Sequence, residues 1–145
     1  MKRETQQRNA IRQALINSGR PLSVDEIYEM AHSEVAGLGI ATVYRNLKAL
    51  QTAGQIVQVD LPGQSPRWEL TPEGHHHHFL CRTCHRLFEV HACSEGIEHL
   101  APEGYTLESH DILLGGLCDT CTVKAKPRAG RKTSLPHTSH RPPKL

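Results

Sequence analysis

His75-His-His-His-Phe-Leu-Cys-Arg-Thr-Cys84 is the stretch on which the reading of this chain turns, and Cys118-Asp-Thr-Cys121 answers it further on. Zinc takes thiolates and imidazoles in a tetrahedral shell, and a two-residue gap lets both sulfurs of a CxxC knuckle meet one ion. Two knuckles therefore close a four-cysteine structural zinc site from Cys81, Cys84, Cys118 and Cys121. A pair of disulfides fits less well: no secretory signal opens the chain, and the fifth cysteine, Cys93, leaves the count odd.

The histidine run carries a second expectation. On an extended strand successive side chains alternate between faces, so His75 and His77 would share one face and His76 and His78 the other. Each pair is half of a metal site that needs acids or further imidazoles from elsewhere. A tag does not suit a run in mid-chain fused to a CxxC, and a solvated His-rich loop is the plainer alternative.

At 145 residues, with 37% hydrophobic and only 4% aromatic residues, the chain makes one or two small domains with a thin core. Small domains often need a metal to be stable, which gives the four-cysteine site a role in folding. No apolar run approaches the length of a membrane span, and Met1-Lys-Arg-Glu-Thr5 leads into a polar stretch, so a cytoplasmic protein without a membrane partner is expected. The net charge of +2 conceals segregation: residues 1–60 hold 7 basic and 6 acidic groups, residues 61–121 hold 3 and 9, and residues 122–145 hold 7 and none. The last segment, rich in Pro, Ser and Thr, reads as a disordered basic tail.

Upstream of the histidines, Ala10, Ile11, Ala14, Leu15 and Ile16 form an apolar stripe at helical spacing, with Thr5 as the expected N-cap and Gly19-Arg-Pro21 as the stop. Ser23 with Glu26 reads as a capping box opening a second helix. A third runs from about Ala41 to Ala53 with Val43, Leu47 and Leu50 inward, and Gly54 stops it. Residues 55–61 and 67–70 then read as strands around the Pro62–Pro66 turn. Three helices and a hairpin are the plan of a winged helix-turn-helix, whose helix after the tight turn enters the DNA major groove. Thr42, Tyr44, Arg45 and Lys48 lie outside the apolar stripe of that helix and can meet phosphates and base edges.

Thr71–Gly74 reads as a hinge. Beyond it, strands over His75–Leu80 and Leu87–His91, a short helix over residues 95–100 and one or two strands within Tyr105–Leu114 make a small α+β module. Neither HExxH nor a comparable metal–base pairing occurs, so an enzyme with a small-molecule substrate is not expected. A zinc-binding interaction module would not need the polar third helix or the wing.

Together, Thr5-Gln-Gln-Arg8, Gly39-Ile-Ala-Thr-Val-Tyr-Arg-Asn-Leu47, the histidine run with its knuckle, and Cys118–Cys121 resemble the ferric uptake regulator family of metal-sensing repressors over residues 1 to about 121. The resemblance implies an α+β chain: a winged helix (1–70), a hinge (71–74) and a metal-binding dimerisation domain (75–121), followed by the tail (122–145). It also implies a homodimer that binds double-stranded DNA operators of metal-uptake genes when loaded with metal. Tyr44 and Arg45 match the family's DNA-contacting positions, and Arg8, within the matching N-terminal motif, is counted with them. A hinge-side regulatory site would draw on Glu69, His76, His78 and Glu89. A site inside the dimerisation domain would draw on His75, His77, His110 and an acid near Glu98, while Cys93, near His91, is an added soft donor that unsettles the hinge-side ligand set. Pro21 stands where many iron sensors of the family place a histidine. Imidazole and thiolate favour regulatory zinc, while Fe(II) or Mn(II) would ask for an oxygen-richer shell.

Overall fold

The computed structural model describes residues 2–125. Helix α1 (Arg3–Ser18) buries Ile11, Ala14 and Leu15. Thr5 is not its cap: the N–H groups of Thr5 and Gln6 donate to the Lys2 carbonyl, so the helix begins a turn earlier with no side-chain cap. Gly19 ends it in the left-handed conformation (φ 61°), which only glycine adopts without cost. Helix α2 (Val24–Glu34) starts on the expected capping box: the Glu26 N–H donates to Ser23 Oγ and the Ser23 N–H to the Glu26 carboxylate. Helix α3 (Ile40–Thr52) turns Val43, Leu47 and Leu50 inward.

Strands β1 (Ile56–Leu61) and β2 (Gln64–Leu70) pair antiparallel around a turn at residues 62–63, tighter than the sequence suggested. Trp68 and Leu22 exchange both backbone hydrogen bonds, at 2.7 and 2.8 Å, which pins the wing to the segment joining α1 and α2. Trp68 thereby enters one apolar core with Ile11, Leu22, Ile27, Leu47 and Ile56.

The second module is a three-stranded sheet in the order β4-β3-β5. Strand β3 (His77–Cys81) pairs antiparallel with β4 (Leu87–Val90) and parallel with β5 (Leu113–Gly116). A 3₁₀ turn occupies Ile97–Leu100. Residues 105–112, expected as strand, carry no ladder, because the chain must cross over to enter β5 parallel to β3. Helix α4 (Asp119–Lys124) begins at Cys118 and takes in Thr122–Lys124, which the sequence assigned to the tail. The rest of that tail, 126–145, lies outside the described residues. Among the described residues no helix is long and apolar enough to cross a membrane.

Candidate metal centres and nucleic-acid face

The two knuckles come together. Cys81 ends β3, Cys84 closes the turn after it, and Cys118 and Cys121 stand at the start of α4. All four sulfurs lie within 4.8 Å of one another, and Cys84 Sγ is 3.8 Å from Cys118 Sγ. A disulfide would need about 2.05 Å. A tetrahedral ion with bonds of about 2.3 Å sets its sulfurs about 3.8 Å apart, so the donors fit zinc.

The polypeptide prepares this set for a cation. N–H groups of Cys84, then Cys118 and Thr83, point at the Cys81 sulfur and lower its pKa to about 6 despite burial. Burial, then the neighbouring thiols, push Cys121 up to about 12. One thiolate is therefore welcome and further ones repel each other, a conflict that a divalent ion resolves.

The four histidines divide as alternation suggested, although only His77 and His78 lie on β3 itself. His76 Nε2 stands 3.0 Å from Glu69 Oε1, and His78 Nε2 stands 3.0 Å from Glu69 Oε2. Glu69 belongs to the wing strand β2 and is 3% exposed. Burial works to raise its pKa, but the bond from His78 and the charges on His78 and His76 outweigh it and hold the carboxyl below its ordinary range. Glu69, His76 and His78 line a cleft of about 520 Å³ together with β1 and residues 111–113, Asp111 among them.

On the other side, His75 Nε2 lies 3.0 Å from His77 Nε2 and 3.1 Å from His110 Nε2. Cys93 Sγ lies 3.3 Å from His77 Nε2 and 3.2 Å from His110 Nε2. The N···N separations lie a little below the edge, about 3.3–3.4 Å, of a tetrahedron of nitrogens around zinc, and the N···S separations lie below a mixed edge of about 3.6 Å. Burial, then His75 and His110, lower the His77 pKa and favour the neutral, ligating imidazole. The Ile112 N–H donates to His77 Nδ1 at 3.1 Å, which leaves the ring proton on Nε2; a metal on Nε2 would move that proton and replace this bond.

Three expected donors stand apart from both clusters. Glu98, on the exposed 3₁₀ turn, is not in the inner cluster, where the Cys93 thiol takes the fourth corner. Glu89 and His91 are at 3.5 Å from each other and do not join Glu69; the His91 ring is 6.4 Å from that of His76. Glu89 faces His78 across the ladder, but its carboxylate turns to solvent-facing His91 instead of to Glu69's partners.

On α3, Tyr44, Arg45 and Lys48 are exposed, and the Arg45 guanidinium donates to Thr42 Oγ1 at 3.0 Å. Arg8, half-buried on α1, shares a groove with Arg3, Thr42 and Arg45, so two helices contribute cations to one face. Such a face suits phosphate contacts around a helix in the major groove.

Residues 2–114 match the Ferric uptake regulator family. The chain belongs to that family. It is 31% identical over 125 residues to the ferric uptake regulation protein of Synechococcus elongatus, with 82% of this chain and 85% of that protein covered. It is 28% identical over 125 residues to the peroxide operon regulator of Bacillus subtilis, with 84% and 86% covered. Among solved structures, a zinc-bound manganese uptake regulator superposes with a TM-score of 0.68 at 32% identity, covering 77% of this chain and 87% of that one. The Helicobacter pylori ferric uptake regulator, described as having three functional metal binding sites, superposes at 0.62 with 27% identity, covering 80% and 79%. The chain is thus a metal-responsive, DNA-binding transcriptional regulator and not an enzyme.

Proposed function

We propose that this regulator is a cytoplasmic homodimer that represses metal-uptake genes when zinc fills its hinge-side site. Cys81, Cys84, Cys118 and Cys121 would hold a permanent structural zinc. Glu69, His76 and His78 would hold the sensed ion. The observation that carries this reading is the placement of Glu69 on the wing strand, 3.0 Å from two histidines of the other module. A ligand shifts a conformational equilibrium only through its differential affinity for the two states, and an ion bridging two modules has such a difference. Closing the bridge would fix the angle at which α3, with Tyr44, Arg45 and Lys48, is presented to the operator.

A cleft beside the three hinge-side donors favours exchange, which a sensor needs, whereas four thiolates, three of them buried, favour retention. The inner cluster, with three imidazoles and the Cys93 thiol, makes zinc the first candidate, because soft donors select against Fe(II) and Mn(II). The hinge-side set favours a second reading: two histidines and one carboxylate beside a cleft also suit Fe(II). The dimer would be built through the second module, where Leu100, Tyr105, Leu107, Leu113 and Leu114 are exposed.

Operator affinity measured against buffered free Zn(II), Fe(II) and Mn(II) tests the assignment. Replacing His76 and His78 with alanine should abolish the metal response while leaving the four-cysteine zinc in place. Replacing His75 and His77 should have the smaller effect. A normal response from the His76/His78 variant overturns the hinge-side mechanism.

A further inference from the structure

Strand β2 turns Trp68 into the winged-helix core and so turns its neighbours Arg67 and Glu69 to the opposite face. Both are charged, and both are buried, at 5% and 3% exposure. Glu69 reaches His76 and His78, as described above. Arg67 reaches the other end of the second module: its Nη2 donates to the His85 carbonyl at 2.9 Å, immediately after the first cysteine knuckle. The remaining bonds of the guanidinium go to neutral acceptors of its own hairpin, Gln64 Oε1 at 3.1 Å, Ser65 Oγ at 3.3 Å and the Ser65 carbonyl. Its Nε is buried without a partner, and among the described residues no carboxylate lies within 4.0 Å.

A buried cation without a carboxylate is costly unless something else compensates it. Zinc on four thiolates carries a net charge of about −2, and the knuckle that Arg67 touches is half of that centre. The contact is also stiff. His85 is the one non-glycine residue with positive φ among the described residues (60°), and it is held from both sides: its N–H donates to the Cys81 carbonyl at 3.0 Å, closing the knuckle, and its carbonyl accepts from Arg67.

We propose that Arg67 is a positioning residue: the fixed pivot, anchored on the four-cysteine knuckle, about which the winged helix turns when metal draws Glu69 to His76 and His78. One face of one strand then carries two contacts to the second module, two residues apart. The Arg67 contact persists with the structural zinc; the Glu69 contact follows the sensed ion. With a single bridge the winged helix could swivel about the Glu69 site without its recognition helix being oriented. With Arg67 held, Glu69 can move only on an arc about that anchor, so metal binding turns the winged helix instead of merely translating it.

The inference rests on the hinge-side reading, so the experiment carries a control for each. Full-length wild type, Arg67→Gln, Arg67→Lys and Glu69→Gln would be compared for Zn(II) bound per chain and for operator affinity with and without Zn(II). The quantity of interest is the ratio of the loaded to the metal-free affinity. In Arg67→Gln the zinc content should equal wild type, while the ratio, typically about 5- to 150-fold for coupled sites, should collapse towards unity. Arg67→Lys keeps the charge and should retain an intermediate ratio. A merely structural arginine would instead weaken both affinities alike and leave the ratio standing. An unchanged ratio in Arg67→Gln, or in Arg67→Lys where the glutamine variant does not fold, overturns the pivot alone. A normal ratio in Glu69→Gln overturns the hinge-side reading and the pivot with it.

Discussion

Around α3 the interior is hydrocarbon: Ile11, Leu22, Ile27, Val43, Leu47, Leu50 and Ile56 are almost wholly sealed from solvent and pack with Trp68. Around β3 the buried cluster is Cys81, Cys118 and Cys121, with Cys84, Phe88 and Leu117 at its margin. The first half can be stabilised by apolar burial at about 25 cal/mol per Å². The second has little apolar area to remove from water, and structural zinc contributes on the order of 10 kcal/mol to such small folds. Two halves of one chain would thus reach stability by unlike means, and the contrast suits the proposed placement of the sensed ion between them. A rigid apolar body and a rigid metal-stapled body give a bridging ion something definite to orient.

The comparison can be broken at the metal. Cys118→Ser should unfold the second module and dissociate the dimer while the winged helix persists. Trp68, the chain's single tryptophan, lies in the hydrocarbon core, so its fluorescence reports on that half alone. We expect zinc per chain to fall and the Trp68 transition to move little. A Cys118→Ser protein that stays dimeric with unchanged melting would overturn the structural assignment of the site.

The converse change sharpens it. Leu47, fully buried at the centre of the winged helix, should cost about 2–5 kcal/mol when replaced by alanine, through lost transfer energy and the cavity left behind. The Trp68 transition should shift by that amount, with bound zinc unchanged. Loss of zinc from Leu47→Ala would show that the halves are not independent.

The same contrast governs how much was legible in the sequence. Periodicity located α1, α2, α3 and the wing because apolar burial writes itself as spacing, and the Ser23–Glu26 box is a local hydrogen-bond pattern. The paired knuckles were legible because one ion dictates their gaps. Strand β5 was misplaced because a parallel partner is set by a long-range crossover that leaves no local signature. Glu98 was assigned to the inner cluster by family position, and only the path of residues 91–94 shows Cys93 there instead. Arg67 was overlooked altogether. Its signal was present two residues before Glu69, on the same strand face, but a lone arginine in a hairpin does not disclose that it is buried.

The smallest expected effect concerns acid, and it isolates the hydrocarbon half. Burial works to raise the pKa of Glu26, but its bonds from Arg20 and Ser23 outweigh that and hold it below its ordinary 4.5. Unfolding releases the group to its ordinary value, so the unfolded chain binds the proton more tightly than the folded one. The ionised Glu26 carboxylate, bonded to Arg20 and Ser23, therefore contributes its full stability above about pH 4.5 and loses it progressively as pH falls through that value towards the lower folded pKa. Ser23→Ala should cost about 0.5–2 kcal/mol at neutral pH, the usual value of an N-cap. Glu26→Gln should flatten the Trp68-detected stability below pH 5, since an amide still accepts from Ser23 but no longer titrates. Cysteine-bound zinc also departs in acid, because its ligands must be deprotonated to bind. That loss occurs in the other half, and a Glu26→Gln protein should release zinc at the same pH as wild type. If Glu26→Gln leaves the acid limb of the Trp68 curve unchanged, the fading stability belongs to other carboxylates and the capping box is not its source.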